Sequence, residues 1–238
     1  MDIITTGAGI EMLMRWGHFV AGIAWIGLLY YFNFVQTEYF KEAETSAKSD
    51  AVKKLVPRAL WWFRWGAMAT VITGVAIILL RGFNMSMDIY IGALLGIIMF
   101  LNVWLIIWPN QQIVIAAAES GSKAKKTVTE AAEALAKAGL ASRTNTLFSI
   151  PMLFLMGASS HYPHGFSAFA LLICLMVIAP IAINGAYPAL KEIPAIKKAQ
   201  PPEFGFMGPM ASVKGVLHCG LGLTIVLILK IGRASCRE

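Results

Sequence analysis

The sequence is poor in charged residues. Only 14% of its 238 residues are Asp, Glu, Lys or Arg, against about 25% in an ordinary soluble domain. Hydrophobic residues make up 58% of the chain, and they gather in long uninterrupted runs. This composition excludes an ordinary soluble enzyme and predicts an all-α integral membrane protein.

Cysteine is also scarce, with three residues in the chain. No CxxC pair and no CxxCH motif occurs, so the sequence excludes a covalent c-type haem within this chain. Cys174 and Cys219 lie in apolar runs and are expected to be inert, buried thiols.

Six stretches predict transmembrane helices, because about 20 apolar residues in a helix cross a bilayer core about 30 Å thick. They are residues 10–36, 59–80, 88–109, 145–162, 165–187 and 212–231. Together they predict a bundle of about six transmembrane helices in one membrane domain, residues 1–230. Before the short fourth stretch, residues 127–142 predict a separate Ala-rich helix that stops at Gly139.

The net charge of +7 is concentrated in alternate connections. Lys and Arg gather in residues 37–58, 111–144 and 187–214, whereas the connections between them are nearly bare. The positive-inside rule then places the basic loops in the cytoplasm and both termini in the periplasm. The excess charge is thereby explained by the lipid bilayer, and no nucleic-acid partner is expected.

The last eight residues predict a non-native tail. IGRASCRE, residues 231–238, can be back-translated into a common sequencing adapter, in which case Cys236 has no role. The alternative is an ordinary basic C-terminus.

Histidines are the candidates for chemistry inside the membrane. No Asp or Glu is expected inside a span, which argues against a carboxylate proton relay. His18 lies two turns into the first span among small residues, which admit either a neighbouring helix or a flat macrocycle. His161 ends the fourth span at a similar depth, so the two could bind the iron of a b-type haem. Alternatively, His18 bonds a backbone carbonyl across the bundle and His161 is interfacial. His164, in the adjoining loop, is expected to be solvated.

A second polar set is expected at the cytoplasmic ends of the spans. Arg64 lies in the segment WWFRW, so the indoles of Trp61, Trp62 and Trp65 are expected beside it. Guanidinium, amide and indole groups suit a planar anionic heterocycle, whereas snorkelling arginines and helix caps are the alternative. The full set is Asn33, Arg64, Asn102, Asn110, Gln111, Arg143, Asn145 and His218.

Four blocks of sequence resemble the membrane-embedded N-terminal domain of the bacterial membrane urate oxidases (urate hydroxylases). They are RWGHFVAGIAWIG (15–27), WFRW (62–65), NVWLIIWPNQ (102–111) and NTLFSIPMLFLMGASSHYP (145–163). The residues that match the family pattern are His18, Trp25, Arg64, Asn102, Pro109, Asn110, Gln111, Asn145, Pro151, His161 and Pro163.

The resemblance implies a multi-pass protein of the bacterial inner membrane that oxidises a purine and passes electrons to a cytochrome c, fused or separate. It implies substrate binding by Arg64, Asn102, Asn110, Gln111 and Asn145, with His18 and His161 as haem ligands. No cytochrome motif is present, and the loop between the first two spans is short. The chain therefore looks like a short form of the family. A non-enzymatic transporter or assembly subunit of a respiratory complex is the alternative.

Overall fold

The chain folds into a bundle of helices. The computed structural model describes residues 3–83, 85–121, 124–199 and 204–235, and no strand occurs in these ranges, which confirms the all-α fold class. The helices are α1 (Gly7–Tyr30), α2 (Thr37–Glu42), α3 (Thr45–Lys54), α4 (Val56–Arg81), α5 (Met87–Asn102), α6 (Trp108–Ser120), α7 (Lys125–His161), α8 (Ala168–Leu190), α9 (Pro194–Ala199) and α10 (Val213–Ser235).

Two π-helical segments join pairs of α-helices into longer helical elements. Tyr31–Gln36 joins α1 to α2, and Val103–Ile107 joins α5 to α6, so each pair of α-helices forms one continuous element. A 3₁₀ turn, Gly208–Ala211, precedes α10. The predicted first and third spans are therefore longer than the sequence pattern indicated.

Five helical elements are long and apolar enough to cross a membrane. Within the described residues these are Gly7–Glu42, Val56–Arg81, Met87–Ser120, Ala168–Leu190 and Val213–Arg233. Several long apolar helices indicate a membrane protein, and five of the six predicted spans coincide with them. The predicted fourth span, 145–162, is not among them. The number of spans and the side of the termini stay predictions.

Helix α7 is continuous, so the predicted stop at Gly139 is wrong. A glycine costs only about 1 kcal/mol in a helix interior, and helix packing on either side offsets that cost. Ala138 and Ala141 are both buried there, and Lys137 pairs with Glu192 beyond α8. The polar stretch 127–142 and the predicted fourth span are thus one helix of 37 residues.

Contacts between helices show that neighbouring elements run antiparallel and that the bundle has two distinct ends. At the Asp88 end, defined by Glu11, Arg81, Asp88 and His164, the Arg81 guanidinium lies 2.9 Å from the Glu11 carboxylate. The Met87 amide donates to the His164 carbonyl there. The Arg64 end, defined by Asn33, Arg64, Asn102 and Asn145, lies at the opposite ends of the same helices. The predicted cytoplasmic set therefore lies at one end of the bundle.

Small residues bring the helices into close contact. A Cβ on Gly66 of α4 would lie 3.2 Å from the backbone nitrogen of Trp25 on α1. A Cβ on Gly185 of α8 would overlap Thr144 Oγ1 of α7. Close backbone approach of this kind replaces the hydrophobic driving force that lipid does not supply.

The segment before α10 is fastened to the bundle. The buried amide of Asn184 accepts hydrogen bonds from the Gly205 and Phe206 nitrogens and donates to the Phe206 carbonyl. Residues 200–203 of this Pro/Gly-rich connection lie outside the described ranges. At the C-terminus, Ile231 is fully buried and α10 continues to Ser235. Residues 236–238, with Cys236, lie outside the described ranges, and the non-native tail stays a prediction.

Candidate functional site

The two π-helical segments lie at the Arg64 end of the bundle. Side chains add hydrogen bonds to backbone carbonyls of both segments: Thr37 Oγ1 donates to the Phe32 carbonyl at 2.7 Å, and Asn110 Nδ2 donates to the Ile106 carbonyl at 2.7 Å. Such segments are rare and are frequently found at functional sites. The presence of two π-helical segments at the Arg64 end makes that end the candidate functional site.

Asparagines lock both π-segments to α7. Asn33 Nδ2 donates to Ser142 Oγ at 2.8 Å. Asn102 Nδ2 donates to Asn145 Oδ1 at 2.8 Å, and Asn145 Nδ2 donates to the Met99 carbonyl at 2.9 Å. The predicted substrate residues Asn102 and Asn145 therefore do come together. Much of their hydrogen-bonding capacity is used to hold α5 against α7.

Arg64 is held between aromatic rings rather than by an ion pair. Its guanidinium carbon lies 3.7 Å from the centre of the Trp108 ring and 5.9 Å from that of Trp104. Its Nε is buried and has no partner among the described residues, and no carboxylate lies within ion-pair distance in those ranges. A cation stacked in this way is stabilised by the ring quadrupole, yet one of its buried donors stays unused.

Further buried polar atoms lack partners within the described part of the chain. Besides Arg64 Nε they are Trp25 Nε1, Gln36 Oε1, Trp104 Nε1 and Arg143 Nη1. A buried donor without an acceptor costs about 1–3 kcal/mol, so native interiors hold few of them. Four of the five lie in or beside the two π-segments, and Arg143 is only 6% exposed. The sequence gives no signal for Gln36 or for the orphaned Trp104 nitrogen, since both depend on the π-turns.

Two expectations for this end are wrong. Trp61, Trp62 and Trp65 do not surround the Arg64 charge but are exposed on the outside of α4, because the stacking partners come from the helix with Trp104 and Trp108. His218 does not join the ring either, since its side chain is exposed on α10. Gln111 is half-buried, and no hydrogen bond to its side chain is seen in the described ranges.

The two predicted haem ligands have different surroundings. His18 Nδ1 lies 3.2 Å from Thr73 Oγ1 on α4, and a Cβ on Gly74 would lie 3.1 Å from the His18 ring. A neighbouring helix thus packs beside His18, and its partner is a hydroxyl. His161 is exposed at the last turn of α7. Haem ligation by the two imidazoles stays a prediction.

A buried acid–histidine pair at the opposite end escaped the sequence analysis. Asp88, in the first turn of α5, is 1% exposed. It accepts from the His164 backbone nitrogen at 2.8 Å and lies 3.1 Å from His164 Nδ1. The expectations that the spans contain no acid and that His164 is solvated are therefore wrong. Asp88 is the first residue of the predicted third span, and its carboxylate joins the start of α5 to the loop that contains His164.

The fold and the site define a class: a polytopic helical membrane protein with unpaired polar groups buried at one end of its bundle. Residues 85–192 match the family model described as urate oxidase N-terminal. The match covers a little less than half of the chain, from the start of α5 to the end of α8. Searches of the curated proteins and of the solved structures found no match.

The matched range contains one wall of the site. Asn102, Trp104, Trp108 and Asn145 lie inside it, whereas Arg64 lies on α4 outside it. The resemblance stated from the sequence is thus confirmed over α5 to α8. For the blocks 15–27 and 62–65 it stays a resemblance.

Proposed function

We propose that this chain is a membrane-embedded oxidoreductase domain of the urate hydroxylase type, which binds a purine anion at the Arg64 end. The observation that carries the proposal is the half-buried Arg64, whose guanidinium stacks on Trp108 and whose buried Nε donor has no partner in the described ranges. A planar anion suits this place, since arginine combines a fixed charge with directed N–H groups and stacks on flat rings.

The amides support the site from behind. Asn102 and Asn145 hold α5 to α7 through the bonds described above, and Asn110 holds the turn that presents Trp108. In the proposed reaction the bound purine is oxidised, water supplies the oxygen, and electrons leave to a cytochrome, fused or separate, in the bacterial inner membrane. No step depends on a haem at His18.

A conservative substitution tests the site. Arg64→Lys keeps the charge but removes the planar donors, so urate binding should weaken by about 1.5–3 kcal/mol, the range for a hydrogen bond to a charged group. Arg58→Lys is the matched control, because Arg58 lies exposed on the same helix at the same end, and it should bind as wild type does. Titration of urate into the purified full chain, followed by tryptophan fluorescence, measures both.

Three results decide between the alternatives. Equal affinity of wild type and Arg64→Lys for urate would contradict the proposed site. Binding without oxidation when a cytochrome c acceptor is supplied would favour the transporter alternative. An absorption spectrum of the same preparation tests the haem prediction, since two-imidazole ligation gives sharp reduced α and β bands that His18→Ala should abolish.

A further inference from the structure

We propose that the indole N–H of Trp104 is the second donor of the Arg64 site, and that the two together select a planar anion through an edge with two adjacent acceptor atoms. This inference rests on the proposed function for the identity of the purine. The paired donor itself rests only on geometry.

The first step is the proximity of two unused donors. Arg64 Nε and Trp104 Nε1 are both buried without a partner among the described residues. The guanidinium carbon lies 5.9 Å from the Trp104 ring centre, so both donors belong to one cluster. A single buried N–H donor without an acceptor is only a local loss of stability. Two neighbouring N–H donors beside a fixed positive charge form a complementary surface for an anion.

The second step is the way Trp104 is fixed. It lies in the π-segment Val103–Ile107, which displaces the indole from the position that a regular α-helix would give it. Its ring packs edge-on against Trp65 at 5.6 Å between ring centres, and it packs in a tilted arrangement against Phe100 at 6.3 Å. The indole is therefore held by its neighbours before any ligand arrives, and the cost of ordering it is met during folding.

The third step is the chemistry of the ligand. Neither donor can accept a hydrogen bond, since indole N–H and guanidinium groups only donate. The matching edge must therefore carry two acceptors, and the charge of Arg64 favours an anion. A deprotonated ring nitrogen beside a carbonyl oxygen has this pattern, and so does a carboxylate on a flat ring. A neutral edge with an N–H would leave a donor facing a donor.

Trp104→Phe is the informative substitution, because it keeps an aromatic ring and removes the N–H. In the purified full chain it should weaken the binding of urate and of benzoate by about tenfold or more, as for loss of a hydrogen bond to a charged group. Trp62→Phe is the matched control. Trp62 is exposed on α4 and packs against Trp61 rather than Trp104, so its substitution should leave both affinities unchanged.

A stability measurement separates a binding role from a structural one. Without ligand, Trp104→Phe removes a buried unpaired donor, so the melting temperature should stay the same or rise. A structural indole N–H would give the opposite sign. A clear fall in the melting temperature of the ligand-free variant would overturn the proposal.

The two probes keep the two proposals distinguishable. If benzoate binding depends on Trp104 and Arg64 while urate does not bind, the donor pair is supported and the purine function fails. If urate binding depends on Arg64 but not on Trp104, the purine site stands and the donor pair is overturned. If neither probe loses affinity in Trp104→Phe, the donor pair is likewise overturned.

Discussion

The two ends of the bundle treat their polar groups in opposite ways. At the Asp88 end, charges are partnered: Glu11 contacts Arg15 and Arg81, and Asp88 contacts His164. At the Arg64 end, buried donors are left without partners in the described ranges, and two π-segments interrupt the helices. Partnered charges hold elements together, whereas unpaired groups cost stability that only a bound molecule can return. The Asp88 end therefore stabilises the fold, whereas the Arg64 end is the place of the proposed binding site.

The largest expected effect is at the Asp88 end. Asp88→Ala leaves the His164 ring and backbone nitrogen without their acceptor in a buried place, and removing one partner of a buried pair costs about 3–5 kcal/mol. Glu11→Ala is the control, because its ion pairs are partly exposed and such pairs are worth at most about 1 kcal/mol. Thermal unfolding in detergent micelles measures both. Similar losses for the two variants would end the distinction drawn for Asp88.

A smaller effect is expected from the amides that lock α5 to α7. Asn145→Ala leaves the buried Asn102 amide unpaired and removes one of the donors to the Met99 carbonyl, which should cost about 1–3 kcal/mol of stability. The double variant with Asn102→Ala should cost less than the sum of the single variants, since one bond joins the two side chains. Strict additivity in unfolding measurements would show that the Asn102–Asn145 bond contributes nothing.

The smallest stability change is expected at the Arg64 end. Arg64→Met removes a charge that has no ion-pair partner in the described ranges and keeps a long side chain against Trp108. The ligand-free stability should lie within about 1 kcal/mol of wild type, or above it. A loss as large as that of Asp88→Ala would mean that Arg64 holds the fold, and the contrast between the two ends would disappear.

The sequence predicts the class of protein and the end of the bundle at which the candidate site lies, but not which side chains contact one another there. Long apolar runs dominate the pattern, so five of the six predicted spans coincide with apolar helices. Asn33, Arg64, Asn102 and Asn145 share one end of the bundle because each lies several turns away from the Asp88 end along antiparallel helices. Hydropathy reports how apolar a segment is and is blind to which neighbour a side chain meets.

The failures have specific physical causes. The tryptophans next to Arg64 in sequence point outward, because adjacent helical residues lie about 100° apart. The stacking indoles come from the π-segment Val103–Ile107 and from α6 instead. Asp88 was misjudged because its partner lies 76 residues away. The sequence also does not show the hydroxyl partner of His18. Thr73 on α4 is 55 residues distant, and no periodicity in the first span points to it.

The continuity of α7 has a consequence for how the protein is made. A segment with Arg143, Thr144, Asn145 and Thr146 in succession is a poor substrate for stepwise insertion into lipid, since each polar group must be desolvated. In the finished bundle these residues are all buried, and Asn145 forms its hydrogen bonds with α5. We therefore expect α7 to leave the insertion machinery only in company with α5 and α6, which makes membrane integration of this region a collective event.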